Sequence, residues 1–551
     1  MKQFKNDFSY VSTGEDTIHH WKGPVDSISY EENAFRNKLL DLNKRCIILA
    51  DNNFIGVTQA GEVYPGLKGD RKPIIALMQA PPVSPSQFGD PCFLETYGVK
   101  YPYYTGSMLQ GISSIEMVIA LGNQGILGMF GAANLSLSKI EDAIRHIQRE
   151  LPDGPYGFNL SHNPYDVYAE RCTVELYLKG GVKVIEASGF NDLSSHLVLY
   201  RAAGLSIDEK NEIITRNHII AKVTRKELAA KFMQPPPEAI LRDLVNNRMI
   251  TEKQAKFAEK IPMADDITVE ADSAGQTDNQ PLISLLPAVL AMRDKMQRKY
   301  NFTKQIRIGA GGGISTPSSV LGAFMMGAAY VMTGSINQSC LEAATSTYVK
   351  SALSRADMSD VVMAPSADMF EMGVKTQVLK KSTMFPMRAQ KLFELYRKYN
   401  SFAEIPAMEM SNLEKQIFRK TIDEAWSDTV HYFSNEAPDA LRASARDPKK
   451  RMALLFKLYL KQSLIWAFQN EGGREMDFQI WCGPSMGAFN EWVRGSYLED
   501  PKNRSVTDVA FHLFNGAAYL FRINSLSIQG LRIPESISVY RPYNPKDDKQ
   551  L

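Results

Sequence analysis

The run Gly309-Ala310-Gly311-Gly312-Gly313-Ile314-Ser315-Thr316-Pro317 carries the strongest chemical signal in the chain. Glycines let backbone N–H groups come close to an anion. Thr316 before Pro317 reads as the cap and first residue of a helix, whose N-terminus adds favourable partial charge. Met332-Thr333-Gly334-Ser335 is a second small, donor-rich turn. Together they suit a phosphate; a tight glycine turn without a ligand is the other reading. Thr105-Gly106-Ser107-Met108 can present backbone groups to an aromatic ring. Asn159, Lys222 and Glu270 stand at or near the ends of apolar runs. A planar polar heterocycle needs such scattered donors and acceptors over an apolar floor. Lys222 alone also reads as a partly buried lysine with a solvated head. Ala271 to Asn279 is small and polar, as a loop beside a ligand must be. Its Asp272 or Asp278 can accept a hydrogen bond or cap the next helix.

These residues need a frame. Short β-rich runs are found at Tyr103–Met108, Ile126–Phe130, Tyr156–Leu160, Val182–Glu186, His218–Val223, Ile267–Ala271, Gln305–Gly309 and Ala329–Thr333. Amphipathic segments alternate with them, among them Ser138–Glu150, Asp166–Leu178, Ser284–Lys299 and Pro317–Gly327. Strand–helix alternation implies parallel strands joined by crossover helices. Eight units in about 255 residues fit a (β/α)8 TIM barrel, an α/β fold. The competing doubly wound sheet would place a GxGxxG turn after its first strand, and none is found there. In the barrel the two glycine-bearing turns follow strands seven and eight, a common place for a phosphate.

Residues 1–95 form an N-terminal segment with a short hairpin, Cys46–Ala50 against Phe54–Thr58 around Asp51-Asn52-Asn53, then a linker at Pro81–Ser86. The barrel occupies 96–355. Gln234-Pro235-Pro236-Pro237 opens an insertion at 234–265, after strand five, with helices at Glu238–Asn246 and Thr251–Glu259. Insertions after barrel strands usually sit at the catalytic face, so a lid is expected. Residues 356–551 read as mainly helical, as at Glu414–Trp426 and Lys450–Ala467.

The 551 residues are 44% hydrophobic and 23% charged, with a net charge of +2, which argues against a nucleic-acid partner held by many phosphate contacts. The five cysteines are far apart and form no CxxC pair, so no disulfide framework and no metal site are expected. No apolar leader or membrane-length run stands out, and the expected setting is cytoplasmic.

Taken together the motifs resemble the PfaD-type trans-acting enoyl reductases of polyunsaturated-fatty-acid and trans-acyltransferase polyketide synthases, within the nitronate monooxygenase and FabK-like flavin barrels. The similar strings include Tyr101-Pro102-Tyr103, Leu127 to Ala133, Val174 to Lys179, Met263 to Asn279, Met369 to Lys375, Phe385 to Gln390 and Ile480 to Phe489. The resemblance runs from about residue 45 to 530 and includes a C-terminal region that simple nitronate monooxygenases lack.

The resemblance implies FMN, a reduced nicotinamide donor (NADPH, with NADH left open) and an enoyl thioester carried by an acyl carrier protein. A homo-oligomer is left open. It puts the FMN phosphate on Gly312, Gly313, Gly334 and Ser335. It puts the flavin ring near Gly106, Ser107, Met108, Asn159 and Lys222, with Ala274 and Gly275 alongside. The family usually has Gly-Gly-His-Thr-Asp after strand six; here the string is Ala274-Gly275-Gln276-Thr277-Asp278. Enoyl reduction needs a proton at Cα, which a histidine can give and a glutamine amide cannot. Gln276 is therefore expected to orient rather than protonate; either water or another side chain, with Tyr104 and His162 as candidates, supplies the proton, or the family's histidine is not the acid at all. A nitronate monooxygenase-like oxidase, or a catalytically impaired component that binds flavin or carrier, is the alternative. The methionines 358, 363, 369, 372, 384, 387, 408 and 410 suggest a channel for acyl chains or ordinary core. Lys380-Lys381, Arg388, Lys391, Arg397-Lys398 and Lys449-Lys450-Arg451 could steer an acidic carrier or simply face solvent.

Overall fold

Alternating apolar strands with inward and outward faces close on themselves in the computed structural model, which describes residues 2–3, 8–10, 19–65, 74–162 and 167–544. The eight parallel strands are β1 (Tyr103–Thr105), β2 (Leu127–Phe130), β3 (Tyr156–Ser161), β4 (Val184–Ser188), β5 (His218–Val223), β6 (Asp266–Glu270), β7 (Arg307–Gly311) and β8 (Val331–Thr333). They pair in chain order, and β8 returns to β1 with Val331 opposite Tyr103. The closed barrel excludes the open doubly wound sheet. All eight expected strands are present, shifted at their ends by a residue or two, or by three at the end of β1.

Side chains alternate along each strand. Tyr104, Leu127, Met129, Val184, Ile220, Tyr330 and Met332 point inward and pack together, with Phe93 and Tyr97 of the short helix Pro91–Tyr97. That helix plugs the N-terminal end of the barrel. Phe93 stacks on Tyr330 with centroids 4.4 Å apart, and the Tyr97 hydroxyl donates to Asp266, which also takes two bonds from Arg307. The interior is thus a packed core, and only its upper end is available for chemistry.

The shell begins with α1 (Ile115–Asn123), α2 (Leu137–Glu150), α3 (Val167–Lys179), α4 (Ser195–Ala203), α5 (Lys226–Phe232), α6 (Leu282–Tyr300) and α7 (Pro317–Met325). Asp166, expected at the start of α3, lies outside the described residues. The eighth shell position is filled by α8 (Val506–Ile528), which packs along α7 and touches α1. Residues 334 to 505 therefore leave the barrel after β8 and return to close it. The expectation that 356–551 is one helical unit is corrected here. Its last long helix belongs to the barrel shell, because α8 buries Val509, Leu513, Phe514 and Ala517. The excursion also contains an antiparallel hairpin, Val361–Pro365 with Lys375–Leu379, that periodicity did not suggest.

The helical part of the excursion has its own core of Phe385, Leu392, Leu395, Phe418, Phe456 and Tyr459. Its longest helix is Pro448–Gln469. The continuous helix expected over Glu414–Trp426 is broken. A π-helical turn, Leu413–Phe418, ends at Arg419 with φ 60°, and Thr421 caps a new helix, Ile422–Glu436.

The inserted helices Glu238–Asn246 and Glu252–Ala258 are present, yet they are not a lid. They follow α5 rather than β5, so the chain is already at the N-terminal face when they begin. They pack on α4, and Gln254 Nε2 donates to the Ala203 carbonyl at 3.0 Å.

The N-terminal region is a five-stranded antiparallel sheet in the order Phe54–Thr58, Cys46–Asp51, Ile74–Ala80, His19–Lys22, Glu62–Pro65, so the expected hairpin is one corner of it. It is nailed to α8 by Arg522, whose guanidinium donates to the carbonyls of Leu39, Asp41, Leu42, Lys44 and Pro81 at 2.8–3.1 Å. No helix among the described residues is long and apolar enough to cross a membrane.

Candidate active site

A cavity of about 670 Å³ opens where the C-terminal ends of the strands meet the excursion. Gly312 and Gly313 turn the chain after β7 with φ 74° and 73°, the left-handed region that glycine enters without strain. A Cβ on Gly312 would meet the Ala271 backbone at 2.7 Å, whereas one on Gly313 or Gly334 would meet nothing within 4 Å. Thr316 caps α7 by accepting from the Ser319 N–H at 3.2 Å. Gly312, Gly313, Gly334 and Ser335 all line the cavity. Among the described residues no acceptor takes the N–H of Gly313, Gly334 or Ser335.

The floor follows from strand parity. In β4 the inward series is Val184, Glu186, Ser188; in β5 it ends Ile220, Lys222; in β6 it ends Thr268, Glu270. Each climbs from apolar or small to polar. Lys222 Nζ lies 3.8 Å from Glu186 and 3.7 Å from Glu270. Burial works against the lysine charge, but the two carboxylates outweigh it and raise Lys222 above its usual value. Burial raises the Glu270 carboxyl, with Lys222 pulling it back and Glu186 adding to the rise. Glu186 is fully buried and accepts from the Ser107 N–H at 2.9 Å, which holds the turn after β1 over the barrel mouth. Asn159 Nδ2 donates to the Glu186 carbonyl and to Ser188 Oγ, so its amide is fixed in the wall.

The loop after β6 is tied on two sides. Asp278 accepts two bonds from Arg225 at 2.8 and 2.7 Å and one from Thr224. Gly275 pairs with Gln377 of the hairpin, N–H to carbonyl in both directions at 3.0 and 2.7 Å. Gly275 has φ 75°, and a Cβ there would enter the Trp481 ring at 2.4 Å. Trp481 is itself bridged to Val378, and its carbonyl accepts from Gln338 at 2.9 Å. Hairpin, Trp481 and loop thus form one roof over the glycine turns.

Of the residues singled out by sequence, Ser107, Met108, Asn159, Lys222, Ala274, Gln276 and His162 line this cavity with the four cradle residues. Gln276 is exposed, and its amide donates to Asp368 at 3.4 Å. His162 stacks on Phe190 and contacts Glu170. Gly106 and Gly275 support the walls without reaching the cavity: Gly106 donates to the Thr333 carbonyl, and a Cβ there would strike Met332. Tyr104 is corrected as a proton donor. It faces the barrel interior, fully buried, with its hydroxyl near Thr268 and Glu186, and burial with Glu186 pushes the phenol well above its usual value.

The methionine channel is also corrected. Only Met369 of the eight reaches the cavity, while Met358, Met372, Met387 and Met408 are exposed. Several of the basic residues are engaged within the chain: Lys381 with Asp360, Arg388 with Asp477, Lys391 with Glu409, Lys449 with the Tyr396 and Tyr399 carbonyls. Glu186, Glu170, Gln377 and Trp481 were missed by sequence reasoning. The available signal for Glu186 was its acidic side chain within Val184–Ser188, at an inward parity.

Residues 21–82 match the model of the fatty acid synthase subunit PfaD N-terminal domain, and 399–478 match the inserted helical domain of [acyl-carrier-protein] S-malonyltransferase. The chain is 42% identical over 533 residues to a polyunsaturated fatty acid synthase polypeptide of Thraustochytrium sp., covering 94% of this chain and 35% of that protein. It is 43% identical to polyketide biosynthesis protein PksE of Bacillus subtilis, covering 80% of this chain and 57% of that one. The chain therefore spans about a third and rather more than half of these two relatives. Among solved structures, the enoyl reductase domain of MlnA from the macrolactin cluster of Bacillus amyloliquefaciens superposes with a TM-score of 0.77 at 42% identity, covering 80% of this chain and 99% of that domain. Likeness at that identity across nearly the whole of a solved enoyl reductase domain, with the PfaD match ahead of the barrel, means that this chain belongs to the PfaD-type enoyl reductase family.

Proposed function

We propose that the chain is an FMN-dependent enoyl reductase acting in trans. It reduces the α,β-double bond of an enoyl thioester on an acyl carrier protein, with NADPH as the reductant, in polyketide or polyunsaturated fatty acid biosynthesis. The observation that carries this reading is one cavity holding both the open glycine cradle after β7 and β8 and Lys222 between Glu186 and Glu270.

The donor set fits a flavin mononucleotide. A phosphate requires unshared N–H groups and room beside them; Gly313, Gly334 and Ser335 offer the first, and Gly313 and Gly334 the second. When bound, the flavin supplies the hydride relay between nicotinamide and substrate. The chain's own residues do the remaining work. Gly312, Gly313, Gly334 and Ser335 hold the phosphate. Lys222 presents a fixed cation, and Asn159 and the Ser107–Met108 turn present fixed dipoles, around a planar ring. Trp481 and the hairpin exclude water. The Gln276 amide orients a carbonyl.

The carrier-bound substrate is supported by the synthase membership of the relatives and by the match of 399–478 to a domain from an acyl-carrier-protein enzyme. The test is spectroscopic. The purified protein is expected to be yellow, to bleach with NADPH under nitrogen, and to regain colour on adding a carrier-bound enoyl thioester. A colourless protein with no affinity for FMN overturns the reading. Oxygen uptake with a nitronate, without any need for nicotinamide, replaces it with an oxidase.

A further inference from the structure

Gln276 leaves the loop after β6 without a histidine, and the cavity wall after β3 holds a different device. His162 follows β3 and lines the cavity with 17% of its side chain exposed. Its Nδ1 lies 2.5 Å from Glu170 Oε2. Glu170 sits on α3 with a side chain 1% exposed, and Ser194, the cap of α4, donates to its other oxygen. The ring stacks on Phe190 at 5.0 Å and 25°, so its plane is fixed as well as one edge. Among the described residues no group is bonded to His162 Nε2. A carboxylate on Nδ1 selects the Nδ1–H tautomer of the neutral ring, leaving Nε2 as the exchanging atom.

We propose that His162 is the catalytic acid that protonates Cα and that Glu170 is its positioning residue; the inference rests on the enoyl reductase reading and names the proton source for that site. Once hydride has reached Cβ, the electron pair of the former double bond is delocalised over Cα and the thioester carbonyl. That pair forms the new Cα–H bond with the Nε2 proton of the imidazolium. The ring is left neutral, with Nδ1–H donated to Glu170, and regains its proton from water. Nicotinamide supplies the two electrons, so charge and atoms balance.

The experiment separates the two half-reactions in the FMN-loaded enzyme. His162→Gln is expected to bleach with NADPH within about twofold of the parent. Its reoxidation by an enoyl thioester should slow by about 10²–10⁴-fold, the usual loss for one general acid. Glu170→Gln should slow reoxidation by at least about tenfold and broaden the ring-nitrogen NMR signals of His162 from one tautomer to a mixture. Reoxidation at the parent rate in His162→Gln overturns the inference. Should that variant fail to fold, parent-rate reoxidation and an unchanged tautomer in Glu170→Gln overturn it instead. A parent that never bleaches sinks the reductase reading, a distinguishable result.

Discussion

Gln377 Nε2 donates to Asp272 Oδ1 at 2.8 Å, joining a hairpin of the excursion to the loop that follows β6. The same nitrogen donates to the Ser273 carbonyl at 2.7 Å, and Asn279 Nδ2 donates to Gln377 Oε1 at 3.1 Å. One amide thus fixes the loop that carries Gln276. Replacing Gln377 with Ala takes the donor from the buried Ser273 carbonyl and should cost about 1–3 kcal/mol. The expected readout is a lower Tm together with a raised KM for the thioester. An unchanged KM would detach the hairpin from substrate handling.

Gly334 has room for a side chain, with φ −130° and nothing within 4 Å of a Cβ. Gly334→Asp should therefore fold without a steric clash and lose FMN, because a carboxylate beside a phosphate is repelled. Flavin absorbance per protein after gel filtration checks this. Full FMN content in a folded variant would move the phosphate elsewhere.

Lys222→Met leaves Glu186 and Glu270 facing each other without a cation. Breaking a buried charge cluster on one side costs about 3–5 kcal/mol. Chemical denaturation should show that loss, and Lys222→Met with Glu270→Gln should recover much of the stability without recovering activity. Equal stability of the single and double variants would mean that the carboxylates do not depend on the lysine.

Hydrogen bonding by Arg225 holds Asp278 below the usual carboxylate range. A depressed acid contributes stability above its unfolded value and loses it as pH falls through the folded value. Arg225 is 66% exposed, so solvent screening limits the pair to about 0–1 kcal/mol. The Tm difference between parent and Asp278→Asn should be constant at neutral pH and shrink to nothing on the acid side of pH ~4. A difference that persists at pH 2 would assign the effect to packing.

Arg522 answers five backbone carbonyls between α8 and the N-terminal sheet. Arg522→Met should cost at least about 3 kcal/mol through the stranded acceptors. Limited proteolysis is expected to cut first within residues 19–65, before the barrel. Simultaneous loss of both parts would show that they unfold as one unit.

Strand count, barrel closure and both glycine turns were legible in the sequence, since short β-rich runs and glycine-bearing turns are local signals. Parity was harder. Tyr104 and Tyr103 are neighbours in one apolar run; Tyr103 packs on Phe514 in the shell and Tyr104 faces the interior, so a single residue decides between wall and core. Glu186 was hidden for the opposite reason, because an acid in a strand reads as an outward residue until its partners Lys222 and Ser107 are known. The lid expectation failed on order: the insertion starts after a helix, and that places it at the far end of the barrel. The roles of Gln377, Trp481 and α8 rest on contacts between distant segments, which periodicity does not encode.

The late arrival of α8 bears on how the protein is born. A ribosome adding about 5–20 residues per second needs on the order of ten seconds or more to pass from β8 to the end of that helix. During that interval the nascent cylinder exposes the apolar flank of α7 and the outer face of β1. Those surfaces must be shielded, by the emerging excursion or by a chaperone, and the binding cleft cannot mature until the shell is sealed.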